Sequence, residues 1–463
     1  MKKIITAAFI LLASKAFSQQ ADYLQDSVFI RKVANNILPS RASYNNLFYL
    51  TKKIGGRLAG SPQMVMAEQW GYKALQQAGA DKVTLQECMV PHWVRRGIDK
   101  TTITFRNNNG ALQAVPLTVT ALGNSVGTGS NGVKAQVVRV NNFDELEAKK
   151  NDLKGKIVFY NVPFDDTLVS TFSAYAKNVI YRGIGASRAA KYGAVAVLVR
   201  SMTNAMDNAA HTGSLHYLDS LPKIPAVAVG VRDVEKMDAL IDEGKELTAQ
   251  MFTYGKMLPD TIGHNVIGEL TGSEYPGEII TVGGHLDAWD ITEGATDDGA
   301  GIVQTIEILR AFKALGFTPK HTIRFVLFAN EENGARGGQK YAAEAKANNE
   351  KHIFALESDA GGFTPRYFSL PIDAQNEAKL AGWKKLLQPY LFVDFVNGGG
   401  GTDVGPLNKE LNIPVGEMMP DNERYFDVHH SRNDVLENVN IRELKIGAIN
   451  MAALLYLIDK YGF

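Results

Sequence analysis

The chain has 463 residues, 45% of them hydrophobic and 21% charged, and its 49 basic and 49 acidic side chains give a formal net charge of zero. That length suits two or three domains, and the absence of a basic block or of aromatic-basic interleaving argues against a nucleic-acid partner. The single cysteine, Cys88, excludes an intramolecular disulfide framework and a cysteine zinc cluster. It reads as a small buried hydrophobe, so any metal site must be assembled from His, Asp and Glu.

Lys2 and Lys3 precede an apolar run from Ile4 to Ala13, and Ala16-Phe17-Ser18 is a small-x-small cleavage site. That order is a secretory signal peptide over residues 1–18, and the run is too short to span a bilayer. The expected mature chain starts near Gln19 and is exported, to a periplasm or to the medium. No cysteine follows the run to take a lipid, and no later window approaches a membrane span, so no membrane attachment is expected after cleavage.

From Ala21 to Gly79 apolar residues recur at three- and four-residue spacing, which predicts helices. The breaker-rich IGGRLAGSP interrupts them, and QMVMAEQWGYKALQQAG is closed by Gly79. KVTLQECMV and TTITFRN read as strands, the latter before the turn NNNG. Residues 19–110 are expected to form the N-terminal part of the main unit of the chain. Residues 111–255 have a different rhythm. Short β-patterned runs (AVPLTV, VKAQVVRV, KGKIVFYNV, GAVAVLVRS, IPAVAVG) are interrupted by two helical patterns, RGIGASRAAKYG and VRDVEKMDALIDEG. A β-rich block between segments that belong together reads as an inserted domain. Its His211 and His216, in HTGSLHY, are expected to be surface-loop histidines.

Residues 256–463 alternate strand and helix. The strand EIITVGGHLD is followed by the helix GAGIVQTIEILRAFKAL and the nearly apolar strand HTIRFVLFAN. The helix ARGGQKYAAEAKAN, the strand KHIFALESD, the helix DAQNEAKLAGWKKLLQPYL, the short strand NIPVGEMM and a closing helix from Ile441 complete the series. This predicts an α/β fold, an open and mostly parallel sheet covered on both faces. Ligand sites in such sheets lie beyond the carboxyl ends of the strands, and that is where His285, Asp287, Glu331, Glu332 and Asp359 fall.

On a strand, residues i and i+2 share a face, so Asp287 is placed to orient His285, and His285 pairs with Asp297 as metal donors. Asp298 is the expected N-cap of the helix from Gly299. The adjacent Glu331 and Glu332 point to opposite sides of an extended segment, one toward a metal and one toward a water. Alone they would read as first-turn helix charge, but beside His285, Asp297 and Asp359 they do not. His429 and His430, in YFDVHHSRND, offer the second nitrogen donor.

GGHLDAWD, GATDDGAG, FANEENGARGG, ESDAGG and HHSRND, in this order and spacing, resemble the secreted co-catalytic two-zinc aminopeptidase family, which includes bacterial leucine aminopeptidases and glutamate carboxypeptidases. IGGRLAGS and the inserted block resemble its subgroup with a protease-associated domain. The resemblance implies a three-layer α/β/α peptidase domain and two zinc ions, with cobalt or manganese also admitted by nitrogen and oxygen donors. It implies that Asp297 bridges both ions, that His285 and Asp359 complete one site and Glu332 and His430 the other, and that Glu331 is the general base. It also implies a cis peptide between Asp297 and Asp298. Relatives usually carry Tyr before the last histidine ligand. Here that place holds His429, which is expected to donate to the oxyanion, and the opposite assignment of His429 and His430 is the alternative.

The glycine-dense GGGGTDVGPL is expected to bring Thr402 and Asp403 near the substrate pocket. Enzymes of the most similar kind act on dipeptides with unblocked termini, so the expected activity is that of a dipeptidase or aminopeptidase on short peptides. The alternatives are a carboxypeptidase on short peptides, a glutaminyl cyclase and a non-catalytic receptor-type homologue, and a homodimer is left open. A substrate α-carboxylate needs a cation, for which Arg336, Arg366, Arg424 and Arg432 stand near the motifs.

Overall fold

A computed structural model describes residues 22–463; the expected signal peptide, residues 1–18, lies outside them. No helix among the described residues is long and apolar enough to cross a membrane.

Two eight-stranded sheets organise the chain. The first runs, in spatial order, Lys82–Val94, Lys256–Leu270, His321–Phe328, Tyr275–His285, Lys351–Glu357, Val415–Pro420, Pro365–Leu370 and Asp394–Asn397. Its centre is parallel. Tyr275–His285 lies between two parallel neighbours, with His285 opposite Phe328 and Gly283 opposite Glu357, and Val415–Pro420 extends the run. Antiparallel pairs flank this centre, so the sheet is mixed.

The alternation of side chains across the sheet divides the core into two layers. Phe325 and Leu327 pack with Ile302, Ile306 and Leu454, from the helices Gly299–Ala314 and Ile441–Tyr461. Val326 and Phe328 pack on the other face with Tyr341, Ala342 and Leu407, from Arg336–Ala347 and Gly405–Leu411. Helices therefore cover both faces, and the apolar run RFVLF is explained by burial on both sides.

The second sheet orders Leu112–Leu117, Lys100–Arg106, Thr248–Phe252, Val133–Val140, Ile157–Tyr160, Ala196–Arg200, Ala226–Val229 and Val119–Ala121. The helix Thr171–Ala190 packs on one of its faces and Val231–Asp242 on the other. The chain leaves the first sheet along Lys82–Val94 and returns along Lys256–Leu270, its immediate antiparallel partner, with Val94 opposite Lys256. Adjacent exit and entry let this block be accommodated without breaking the first sheet.

The structure places the start of the second sheet upstream of the expected residue 111. Lys100–Arg106 pairs with Leu112–Leu117 and Thr248–Phe252, so the second sheet begins before residue 111. The NNNG turn is the loop of a hairpin inside that sheet, closed by hydrogen bonds between Asn107 and Gly110 and between Asn107 and Ala111; it does not separate two units. The returning strand starts at Lys256, the first residue expected of the last unit. The strands Pro365–Leu370, Asp394–Asn397 and Thr248–Phe252 have no counterpart in the sequence reading.

Candidate metal centre

His285, Glu331, Glu332 and Asp359 stand at the carboxyl ends of strands of the first sheet. His285 is the last residue of its strand, Glu331 and Glu332 follow His321–Phe328, and Asp359 follows Lys351–Glu357. Asp297 and Asp298 precede the helix from Gly299, joined by a cis peptide as the resemblance implied. Asp298 is the N-cap: Oδ1 accepts from Gly301 N at 2.8 Å, and Oδ2 accepts from His285 N at 3.0 Å. One carboxylate thus fixes both the helix start and the strand end that carry the donors.

His285 Nε2 lies 3.1 Å from Asp297 Oδ1 and 3.1 Å from Asp359 Oδ1. His430 Nε2 lies 3.2 Å from Asp297 Oδ2 and 3.0 Å from Glu332 Oε2. The two histidines therefore reach different oxygens of one aspartate. Bonds of about 2.1 Å in a tetrahedral shell place neighbouring donors about 3.4 Å apart, so these separations suit divalent ions. Two donor sets fall within 4.8 Å throughout, His285 with Asp297 and Asp359, and Asp297 with His429 and His430. Glu332 joins the second set through His430, and its Oε1 is buried without a partner. His429 Nε2 is farther from Asp297 Oδ2, at 3.8 Å, and its ring stacks on that of His430 at 3.5 Å between centroids.

Burial and mutual repulsion set the protonation behaviour of most of these carboxylates. Burial, with Asp359, Asp287 and Asp297 nearby, pushes Glu331 up to about 7. Burial, with Asp297 and Glu357 adding to it, pushes Asp359 up to about 6. Glu332 is raised well above its usual range by burial and by Asp297. Asp297 is the exception: burial opposes its charge, but hydrogen bonds from His285 and His430 hold it well below the usual range. Burial and the neighbouring His430 keep His429 neutral, its pKa well below that of a free imidazole.

Asp287 touches His285, as expected of it, through both its backbone and its carboxylate, and does more besides. The strand ends at His285, so the i and i+2 geometry does not continue. His285 Nδ1 faces the Asp287 backbone carbonyl at 3.1 Å, and the Asp287 carboxylate is farther away, at 3.6 Å. Its two oxygens accept from Glu331 N at 2.9 Å and Glu332 N at 3.2 Å. Asp287 thus fixes the backbone that presents both glutamates.

Three supporting groups were not singled out in the sequence. Asp434 accepts from Thr296 N at 2.7 Å and Asp297 N at 3.1 Å, which holds the loop of the shared aspartate. Arg57, fully buried, donates to the carbonyls of Leu286, Glu293 and Gly294 at 2.5, 2.8 and 3.0 Å. Both belong to quoted motifs, HHSRND and IGGRLAGS, and those motifs were the available signal. The third is Arg182, on the helix Thr171–Ala190, and no local motif marks it.

Arg182 enters through a contact between the two sheet-bearing regions. The segment His211–Ser214 runs against the donors. Thr212 N donates to His430 O at 2.8 Å, the Thr212 carbonyl faces His430 Nδ1 at 3.3 Å, and Ser214 Oγ donates to Glu332 O at 2.8 Å. Arg182 Nη1 lies 3.4 Å from both the Thr212 carbonyl and His430 Nδ1, and Nη2 donates to the Tyr175 hydroxyl at 2.6 Å. His211 is accordingly buried, against expectation, and burial lowers it to about 4. His216 is exposed, as expected.

These groups line a cavity of about 340 Å³, together with Phe172, Tyr175, Arg182, Thr402 and Glu417. A larger groove of about 800 Å³ beside Lys82–Val94 contains none of the donors. Thr402 is at the cavity as expected. Asp403 is fully buried and does not line it; the backbone N–H groups of Asp403 and Val404 bind the Glu357 carboxylate instead. None of the four expected arginines lines the cavity. Arg336, Arg366 and Arg424 pair with Asp260, Asp421 and Asp427, and Arg432 is exposed.

Residues 265–455 match peptidase family M28. Carboxypeptidase Q of Homo sapiens is 34% identical over 416 residues, which cover 90% of this chain and 85% of that protein. The chain belongs to peptidase family M28. Among solved structures, a peptidase M28 precursor from Shewanella amazonensis SB2B is 32% identical with a TM-score of 0.88, over 94% of this chain and 97% of that one. A zinc aminopeptidase from Bacillus subtilis shares the fold at 18% identity and a TM-score of 0.59, over 90% and 94% of the two chains. This M28 peptidase is a metal-dependent exopeptidase, with the acidic and imidazole donors of such an enzyme gathered at one end of its sheet.

Proposed function

We propose that this protein removes single residues from short peptides, dipeptides above all, with two zinc ions held by His285, Asp297, Asp359, Glu332 and His430. The observation that carries this reading is the shared Asp297, whose two oxygens face two different histidines at 3.1 and 3.2 Å. The donors fit such ions: they are nitrogen and oxygen atoms at the expected spacing, and Glu332 Oε1 is buried with nothing to bond. When bound, divalent ions polarise the scissile carbonyl and make water a stronger acid.

The remaining chemistry falls to the chain itself. Glu331 accepts the proton of the attacking water and returns it to the leaving amine, and its pKa near 7 before metal enters suits an acid–base group. Asp287 holds the backbone that aims it. His429 donates to the oxygen that becomes anionic. Arg182, a buried cation with no carboxylate within ion-pair distance among the described residues, is the group for a substrate α-carboxylate. Residues 111–255, with Lys100–Arg106, form the protease-associated domain, and that domain closes the cleft over short substrates. A cavity of about 340 Å³ is at the small end for ligand sites, which favours dipeptides over long chains. The protein is exported and acts in a periplasm or outside the cell.

The test is a panel of dipeptides, C-terminally amidated dipeptides, longer peptides and peptides with N-terminal glutamine, incubated with the zinc-loaded protein. Release of free amino acids, fastest from unblocked dipeptides, is expected. Cyclisation of glutamine without hydrolysis would replace the peptidase reading with a cyclase one.

A further inference from the structure

Glu417 is the one carboxylate lining the cavity that neither the metal set nor the base uses. It sits in the strand Val415–Pro420, directly opposite Glu357 in the parallel ladder with Lys351–Glu357. Side chains at matched positions of neighbouring strands share a face, and like charges there repel. The two glutamates have resolved this differently. Glu357 is buried, and its oxygens are taken by the N–H groups of Asp403 and Val404 at 3.1 and 2.9 Å. Glu417 has no such partner: its surroundings are burial and two like charges, Glu357 and Asp359, which raise it well above the ordinary carboxylate range. An unpaired carboxylate in that setting is costly unless a cation joins it.

Arg182, in the same lining, carries the complementary feature. Arg182 is 6% exposed, its Nε is buried without a partner, and it lies beside His430. A row of neighbours leads from Glu417 past Asp359, His285, Asp297 and His430 to Arg182, with a carboxylate as its first member and a guanidinium as its last. A small molecule with an ammonium at one end and a carboxylate at the other matches that row.

We propose that Glu417 is the anchor for the free α-ammonium group of the substrate's first residue, so that an unblocked amino terminus is selected at this wall of the cavity. The proposal rests on the exopeptidase reading and adds the group that chooses the peptide end. Substrate binds with its ammonium against Glu417 and its scissile carbonyl over Asp297, and no bond is made or broken at Glu417.

The experiment compares an unblocked dipeptide with the same compound lacking its α-amino group, in wild type and in Glu417→Gln, which keeps the shape and removes the charge. Glu417→Gln is expected to raise KM for the unblocked dipeptide roughly ten- to hundredfold, to leave kcat and metal content nearly unchanged, and to erase the preference over the des-amino compound. An unchanged preference would overturn the proposal. So would a loss confined to substrates whose first side chain is Lys or Arg, which would assign Glu417 to that side chain, and so would an equal fall in kcat on both compounds, which would mean that it acts through Asp359. A ketomethylene dipeptide mimic, with and without its amino group, titrated by calorimetry reads the same discrimination without turnover. If the wild type hydrolyses nothing, the exopeptidase reading fails, and this titration still decides whether Glu417 binds an ammonium.

Discussion

Glu331 and Glu332 are neighbours in the chain with different exposures, Glu332 buried and Glu331 partly open to the cavity. That difference separates their roles. Glu332 reaches His430, while Glu331 has no metal-donor partner and is free to move a proton. Glu331→Gln is expected to keep the full metal content and to lower kcat by roughly 10²- to 10⁴-fold; metal analysis beside turnover checks both halves, and near-wild-type turnover would remove Glu331 from the role. The adjacent histidines are separated by the same logic. His430 Nε2 is 3.2 Å from Asp297 and His429 Nε2 is 3.8 Å away. His430→Ala should therefore lose one ion per chain, and His429→Ala should keep both and lose rate. Metal counts in the reverse order would exchange the two assignments.

At the scale of elements, the loop from Leu286 to Asp297 carries the donors and has little regular structure of its own. It is held by groups from distant segments, Arg57 on one side and Asp434 on the other. Arg57 bonds three carbonyls with a rigid planar fork that lysine does not reproduce. Arg57→Lys should strand at least one buried carbonyl and cost about 1–3 kcal/mol of stability. It should also weaken metal binding, because loss of the supporting shell loosens the donors; denaturant melts and a competitive metal titration measure the two effects. The segment His211–Ser214 acts likewise from the other side. The inserted region is thus bonded to the backbone of Glu332 and to His430, and its contribution extends beyond covering the cleft.

At the scale of the molecule, burying Glu332, Glu357 and Asp403 and crowding Glu331 and Asp359 beside them works against folding unless cations accompany them. Metal removal is therefore expected to lower the melting temperature, since ligand at a thousandfold excess over its Kd stabilises by about 4 kcal/mol. Calorimetry with a chelator, followed by readdition of zinc, tests this. The sign of the pH dependence follows from the raised groups. In the metal-free chain Asp359 titrates near 6 and Glu331 and Glu357 near 7. Their stabilising contribution is complete below the unfolded carboxylate values and is lost as pH rises through 6 and 7. The chelated protein should accordingly recover stability between pH 7 and about pH 5, and a chelated form that melts lower at pH 5 than at pH 7 would contradict this assignment of charges.

The sequence by itself determined the α/β alternation, the cap at Asp298 and the five side chains proposed here as donors, because these depend on local period, on chain neighbours and on motifs that stay contiguous. It also showed that residues between two parts of one sheet have their own β-rich pattern, though the NNNG turn misplaced where that pattern begins. Tertiary structure alone decided which cation faces the cavity. Arg182 lies in a helical stretch with no distinguishing neighbours, whereas the four arginines near the motifs have partners or face solvent. It also decided the two uses of Asp287 and the lack of a partner for Glu417, among the described residues, beside a satisfied Glu357. Those outcomes depend on which backbone N–H groups and which opposite strand approach each carboxylate, and such approaches arise only when segments far apart in the chain are packed together.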